Sequence, residues 1–398
     1  MWNMVTLLFN GVGILLLFQF FKFKYLDFVA ESHKTNFWKF SRHKYVLTVG
    51  AILIVTLGVV ELILPDVSPL RSEMNRLHFG NYLGVSVAFA ISVIWMIYLR
   101  KLDVFEPEEW KHIIIVFIMG CVTVWAVFPI TAFMKTNLGF QLDNSFWNDF
   151  IYSWVGIGMV EELIKMVPLI IIVQFRKIVN EPYDFILYAA VSALGFAFIE
   201  NAMYIERSDF YAINGRALMS TVAHMTFSSI IGYGLLIASC RRPGKGWHYI
   251  VGAFLVASLM HGFYDFWLIN PIAKEFSGLS FVFFILTTHF WFTLKNRTIN
   301  ASYFYDETKR ISNDSIRYFI ILWMVVLLMV STLLIGVFHG SSTANKFLLG
   351  QLYSFGFLIY YLGFSFSRFV IAPKAINACQ TALEKVIPDE PTLKSKRN

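Results

Sequence analysis

The chain has 398 residues, is 57% hydrophobic and only 15% charged, and has a mean hydropathy of +0.61. Soluble domains are nearer a quarter charged, so composition excludes an ordinary soluble domain and indicates a polytopic membrane protein. The three cysteines (Cys121, Cys240, Cys379) are far apart and form no CxxC. They read as free thiols and exclude a structural zinc framework.

In chain order, apolar runs of the length that a bilayer core demands fall at about 4–21, 46–64, 82–99, 113–134, 150–173, 183–205, 217–240, 248–269, 279–294, 316–338 and 347–371. The expected fold is therefore all-α, a polytopic transmembrane helix bundle of about eleven helices. The first run has no basic n-region and no small-residue cleavage site, so it reads as a retained span and not as a signal peptide.

The connecting segments set the orientation. Of the 33 Lys and Arg residues, 23 lie in the loops at 22–45, 100–112, 174–182, 241–247 and 295–315 and in the tail after 371. The five alternating loops hold only 7, and Lys165, Arg317 and Arg368 fall inside spans. Cytoplasmic loops are the ones enriched in basic residues. The N-terminus is thus expected outside and the C-terminus in the cytoplasm. The net charge of +7 is explained by this topology without nucleic acid. Residues 372–398 end in PDEPTLKSKRN, a polar tail expected to be disordered.

A charged side chain at the bilayer centre costs about 2.5–3.5 kcal/mol on insertion scales, so such groups usually face the bundle interior and carry function. Here they are Glu161, Glu162 and Lys165 in the fifth span, Glu200 in the sixth, His224 in the seventh, and His261 with Asp265 in the eighth. With 1.5 Å of rise per residue, Glu161 lies roughly 15 Å below the outer boundary, His261 about 12 Å, His224 about 10 Å, Glu200 about 8 Å and Asp265 about 6 Å. Four successive spans therefore place carboxylates and imidazoles in one slab of the outer leaflet. His289 lies near the cytoplasmic end of its span and stands apart.

Local spacing adds pairings. Glu161 and Lys165 are i,i+4 and Glu162 and Lys165 are i,i+3, so Lys165 is expected to neutralise only one glutamate well. The other would hold a water as general base. His261 and Asp265 are again i,i+4. Pro168 should kink the fifth span below the acidic pair, and Gly156 and Gly158 should admit a close helix above it. Each feature has a structural reading as well: a buried ion pair, a snorkelling carboxylate or a packing histidine. It is the shared depth that favours a site.

These motifs resemble the PrsW family of bacterial intramembrane proteases, which is related more distantly to type II CAAX prenyl endopeptidases and to the scaffold subunit of gamma-secretase. The resemblance is carried by EExxK (Glu161, Glu162, Lys165), FxxxEN (Phe196, Glu200, Asn201), His224 and HxxxD (His261, Asp265). The loop LDVFEPEEW at 102–110 is similar to the family's Asp-x-x-x-Glu-Pro-Glu-Pro loop, with Glu109 in place of the second proline, and Asp184 matches an Asp of the family. The resemblance covers about 82–295 as a catalytic core. It leaves 1–81 and 296–371 as two-helix extensions and 372–398 as the tail.

What the resemblance implies is a peptidase of the cell membrane acting on a membrane-anchored protein, such as an anti-sigma factor, near the outer face. Glu161, Glu162, His224 and His261 would be catalytic, and Lys165, Glu200, Asn201 and Asp265 would support them. Family members are often labelled metalloproteases. A zinc, if used, would take Glu200, His224 and His261, although HExxH is absent. The competing classes are a transporter or proton relay, which calls for inverted repeats and polar groups through the full membrane thickness, and a non-catalytic scaffold of the same fold. The cytoplasmic half of spans five to eight is almost wholly apolar, which weighs against the transporter.

Overall fold

The computed structural model describes residues 79–368, apart from 176, 242–243, 307–308 and 310–312. The spans expected at 4–21 and 46–64, and the tail from 372, lie outside the described residues. Among the described residues the chain is all-helical. The helices are α1 (Phe79–Leu102), α2 (Trp110–Thr123), α3 (Val127–Leu138), α4 (Phe146–Ile151), α5 (Val160–Ile172), α6 (Pro182–Arg207), α7 (Thr221–Ser239), α8 (Trp247–Ile269), α9 (Gly278–Asn300), α10 (Asn313–His339) and α11 (Ser341–Phe366). A 3-10 turn at Val124–Ala126 joins α2 to α3.

Eight of the described helical stretches are long and apolar enough to cross a membrane. They coincide with eight of the expected runs, including the short one at 279–294, which extends over Gly278–Asn300. The remaining run, 150–173, is helical throughout but changes type along its length. α4 passes into a π-helix at Tyr152–Met159 and then into α5. A second π segment, Arg216–Ser220, leads into α7. Wide turns of this kind occur often at functional sites. α5 runs through Pro168 to Ile172, so the marked irregularity lies before the acidic pair and not after it.

The chain divides into two compact units. One comprises Glu200–Met219, Asn313–Ser367 and the described part of Met1–Ile91. Within it α10 packs along α11, and Asn214 donates to Ser331 Oγ and Gln351 Oε1, both at 3.0 Å. The other comprises Ser92–Ile199, Ser220–Ser312 and Arg368 of the described chain. Its residues 182–199 of α6 are almost wholly buried, as expected of a helix that is apolar all round.

Two glycine pairs bring helices of this second unit to backbone contact. A Cβ on Gly158 would collide with the Ser258 carbonyl, and one on Gly262 with the backbone of Ser153 and Trp154. Likewise a Cβ on Gly120 would strike the Ser192 carbonyl, and one on Gly195 the Phe117 carbonyl. Small residues allow such approach in membranes. Gly158 thus does what its position predicted, whereas Gly156 faces only the ring of Tyr152. Cys121 is free. Cys240 is disulfide-bonded, which corrects its reading as a free thiol: spacing along the chain does not decide which cysteines meet in the fold.

Candidate active site

The Gly158–Gly262 contact fixes the first geometric relation of the site. It presses α8 against the chain just ahead of Glu161, and His261 is the neighbour of Gly262. His261 Nδ1 lies 2.9 Å from Glu162 Oε1. An ionised carboxylate only accepts, so the imidazole donates there. The other ring nitrogen, Nε2, is 3.3 Å from Asp265 Oδ2 and 3.6 Å from Glu161 Oε2.

Lys165 forms the centre. Its Nζ is 3.0 Å from Glu161 Oε2, 3.0 Å from Glu162 Oε1 and 2.8 Å from His224 Nδ1. An ammonium has three N–H donors and no acceptor, so it matches these three contacts. His224 therefore accepts at Nδ1 and carries its proton on Nε2. The Lys165 ammonium also lies 4.4 Å over the ring of Phe196, a cation–π contact in a desolvated setting. The expectation that Lys165 would serve one glutamate is thus corrected. One turn of helix sets both carboxylates on its side, and the i,i+3 and i,i+4 positions are reached together.

The two glutamates differ in burial and partners. Glu162 is fully buried and takes contacts from Lys165, from His261 and from Ser228, whose hydroxyl donates at 2.7 Å. The Glu161 side chain keeps 12% exposure and that of Asp265 23%. Glu162 and Lys165 form the floor of the site, and Glu161 and Asp265 form its open side. Phe227 stacks on His261 at 5.5 Å, and His224 meets His261 edge-on at 5.1 Å.

Of the residues expected in the site, Glu161, Glu162, Lys165, His224, His261 and Asp265 come together within one unit. Glu200 and Asn201 belong to the other unit, where Arg216 holds both: Nη2 donates to Glu200 Oε2 at 2.7 Å and Nε to Asn201 Oδ1 at 2.6 Å. Ser228 and Arg216 are the polar partners that sequence reasoning missed. Ser228 had a legible signal, since it stands one turn after His224 on the same face of α7.

Two imidazoles and a carboxylate are suitable donors for a catalytic zinc. One such atom from each of Glu161, His224 and His261 lies within 4.8 Å of the others. This trio differs from the expected Glu200, His224 and His261 in its carboxylate. Glu162, bonded to His261 Nδ1, would orient that ligand as carboxylates commonly do behind metal-bound histidines. The Lys165 ammonium contacts two of the same three residues, so lysine and metal would compete for their donors.

Among the described residues the chain is all-helical, with eight helices long and apolar enough to cross a membrane and a buried acid–imidazole cluster, which defines a multi-pass membrane protein with a candidate hydrolytic site. Residues 108–292 match the family described as PrsW family intramembrane metalloprotease. Protease PrsW of Clostridioides difficile is 33% identical over 183 residues, 44% of this chain and 74% of that protein. Protease PrsW of Bacillus subtilis is 28% identical over 222 residues, 55% of this chain and 96% of that protein, and that of Geobacillus kaustophilus is 28% identical over 213 residues, 54% and 89%. No solved structure matches. The chain belongs to the PrsW family and is a peptidase.

Proposed function

We propose that the chain cleaves a membrane-anchored protein near the outer face of the membrane, in a site-1-type regulated proteolysis for which an anti-sigma factor is a suitable substrate class. The orientation rests on the basic-residue asymmetry of the loops, with the N-terminus outside and the C-terminus cytoplasmic. The catalytic core is 82–295, flanked by 1–81 and 296–371.

The observation that carries the mechanism is the unequal standing of the two glutamates. Glu162 is enclosed by Lys165, His261 and Ser228, whereas Glu161 reaches the open side. Glu161 acts as general base and takes a proton from a water molecule, whose oxygen adds to the scissile carbonyl carbon. The Nε2–H of His224 donates to the resulting oxyanion. Collapse breaks the C–N bond, and the Glu161 carboxyl returns its proton to the leaving amine. Glu162 and Lys165 hold both imidazoles and Glu161 in place. Glu161, His224 and His261 are the residues that would hold a divalent metal, which would supply Lewis acidity and a more acidic water.

The test is cleavage of a single-pass substrate by the purified protein in liposomes. Wild type is compared with Glu161→Gln, Glu162→Gln, His224→Ala and His261→Ala, with and without a chelator. Full cleavage by all four variants would sink the mechanism. Loss on chelation that zinc restores would assign the metal-dependent form.

A further inference from the structure

A second group of buried carboxylates lies in the same unit, where α6 begins. Asp103 follows α1, Glu108 lies in the loop before α2, and Glu181 and Asp184 flank the start of α6. All four are at most 5% exposed. From Asp184 to Phe196, the residue beneath Lys165, is 12 positions, or about 18 Å of helix, so this group is remote from the active site.

Its hydrogen bonding is one-sided. Asp184 Oδ2 accepts from the backbone N–H groups of Asn180 and Glu181 at 2.9 and 2.8 Å. Asp103 Oδ2 accepts from the N–H of Glu108 at 2.6 Å, Glu108 Oε2 from Tyr188 at 2.6 Å, and Glu181 Oε2 from Ser302. The opposite oxygens, Asp103 Oδ1, Asp184 Oδ1 and Glu108 Oε1, are buried without any hydrogen-bond partner. Arg100 and Lys309 donate to the backbone carbonyls of Glu108 and Phe105 and not to these carboxylates, and His112 Nδ1 lies 3.5 Å from Glu108 Oε2, on the outer side already held by Tyr188.

One oxygen from each of Asp103, Glu181 and Asp184 lies within 4.8 Å of the others. Three carboxylates converging in a buried space need positive charge between them. A shared proton joins two oxygens, but it leaves the third carboxylate and the orphaned atoms unsatisfied. A cation with several coordination positions satisfies all of them. The separation also suits oxygen ligands each about 2.0–2.6 Å from a common ion.

We propose that Asp103, Glu181 and Asp184 bind a hard divalent cation, with Glu108 beside it, and that the ion ties the 103–109 loop to the start of α6. An all-oxygen donor set selects Ca²⁺, Mg²⁺ or Mn²⁺ over the softer ions that imidazoles attract. The backbone N–H groups, Tyr188 and Ser302 hold the outer oxygens in position as a second layer.

The experiment uses full-length protein in detergent, stripped with EDTA and titrated with Mn²⁺, read by loss of the free-ion EPR signal. Ca²⁺ and Mg²⁺ serve as competitors and identify the preferred ion. A His224→Ala/His261→Ala double variant, which lacks the imidazole donors of the other candidate metal group, should still bind Mn²⁺, and in that background Asp103→Asn and Glu181→Gln should weaken binding by roughly 10–100-fold or more. Thermal unfolding of wild type, which needs no variant to fold, should shift upward with the same ion. Absence of Mn²⁺ binding by wild type overturns the proposal and leaves the carboxyls sharing protons. Binding that survives both carboxamide substitutions, or that disappears only in the histidine variant, overturns it equally.

Discussion

Two buried carboxylate clusters within one unit are handled in opposite ways. Around Glu161 and Glu162 the chain supplies its own positive charge, Lys165, and surrounds it with imidazoles and a hydroxyl. Around Asp103, Glu181 and Asp184 it supplies donors for the outer oxygens only and leaves inner ones without partners. Removing a carboxylate from water is expensive unless it is paired. The first cluster is complete in that sense and has one carboxylate reaching an opening, which suits chemistry. The second is incomplete and closed, which suits retention of an ion.

Substitutions can break or sharpen this contrast. Glu161→Gln should cost about 10²–10⁴-fold in cleavage rate, the usual worth of a general base, with little change in thermal stability. If Glu162→Gln alone abolishes turnover and Glu161→Gln does not, the assignment of base and positioning residue is reversed. Lys165→Met should be the largest loss of stability, about 3–5 kcal/mol in denaturant or thermal unfolding, because it strands two carboxylates in a site where the lysine is fully buried. Should this variant be as stable as wild type, the first cluster is not held by its internal cation. Ser228→Ala leaves Glu162 Oε2 short of a donor and should cost about 1–3 kcal/mol. The smallest effect is expected for Tyr188→Phe, about 0.5–1.5 kcal/mol, measured in metal-free protein. Saturating Ca²⁺ or Mn²⁺ should then recover much of that loss if the second cluster depends on an ion.

Eight of the expected spans, and six of the residues that gather in the candidate site, were legible in the sequence for a physical reason. Helical rise converts position into an expected depth, and Glu161, His224, His261 and Asp265 are expected in one slab. Depth is one coordinate only. The partner a carboxylate takes also depends on its azimuth and on side chains beyond the spans. Glu200 illustrates this, since its partner is Arg216, which reads as a loop residue in sequence and lies in a π segment. The second cluster was harder to read. Asp103, Glu108, Glu181 and Asp184 fall at loop edges, where carboxylates are ordinarily solvated, and only the packed helices reveal that they are buried. The Lys165 contacts were underestimated because pairwise spacing treats its partners as exclusive, whereas an ammonium serves three acceptors at once.

The π segment Tyr152–Met159 has a consequence for insertions and deletions in this chain. Residues on an α-helix are about 100° apart around the axis. Closing that segment to ordinary α geometry at unchanged length would rotate α5 about its axis and turn Glu161, Glu162 and Lys165 together away from His224 and His261, whereas deleting one residue would offset part of that rotation. Gly158 would turn with it and lose its seat against Ser258. The wide turn acts as a phase setting for everything that follows in α5.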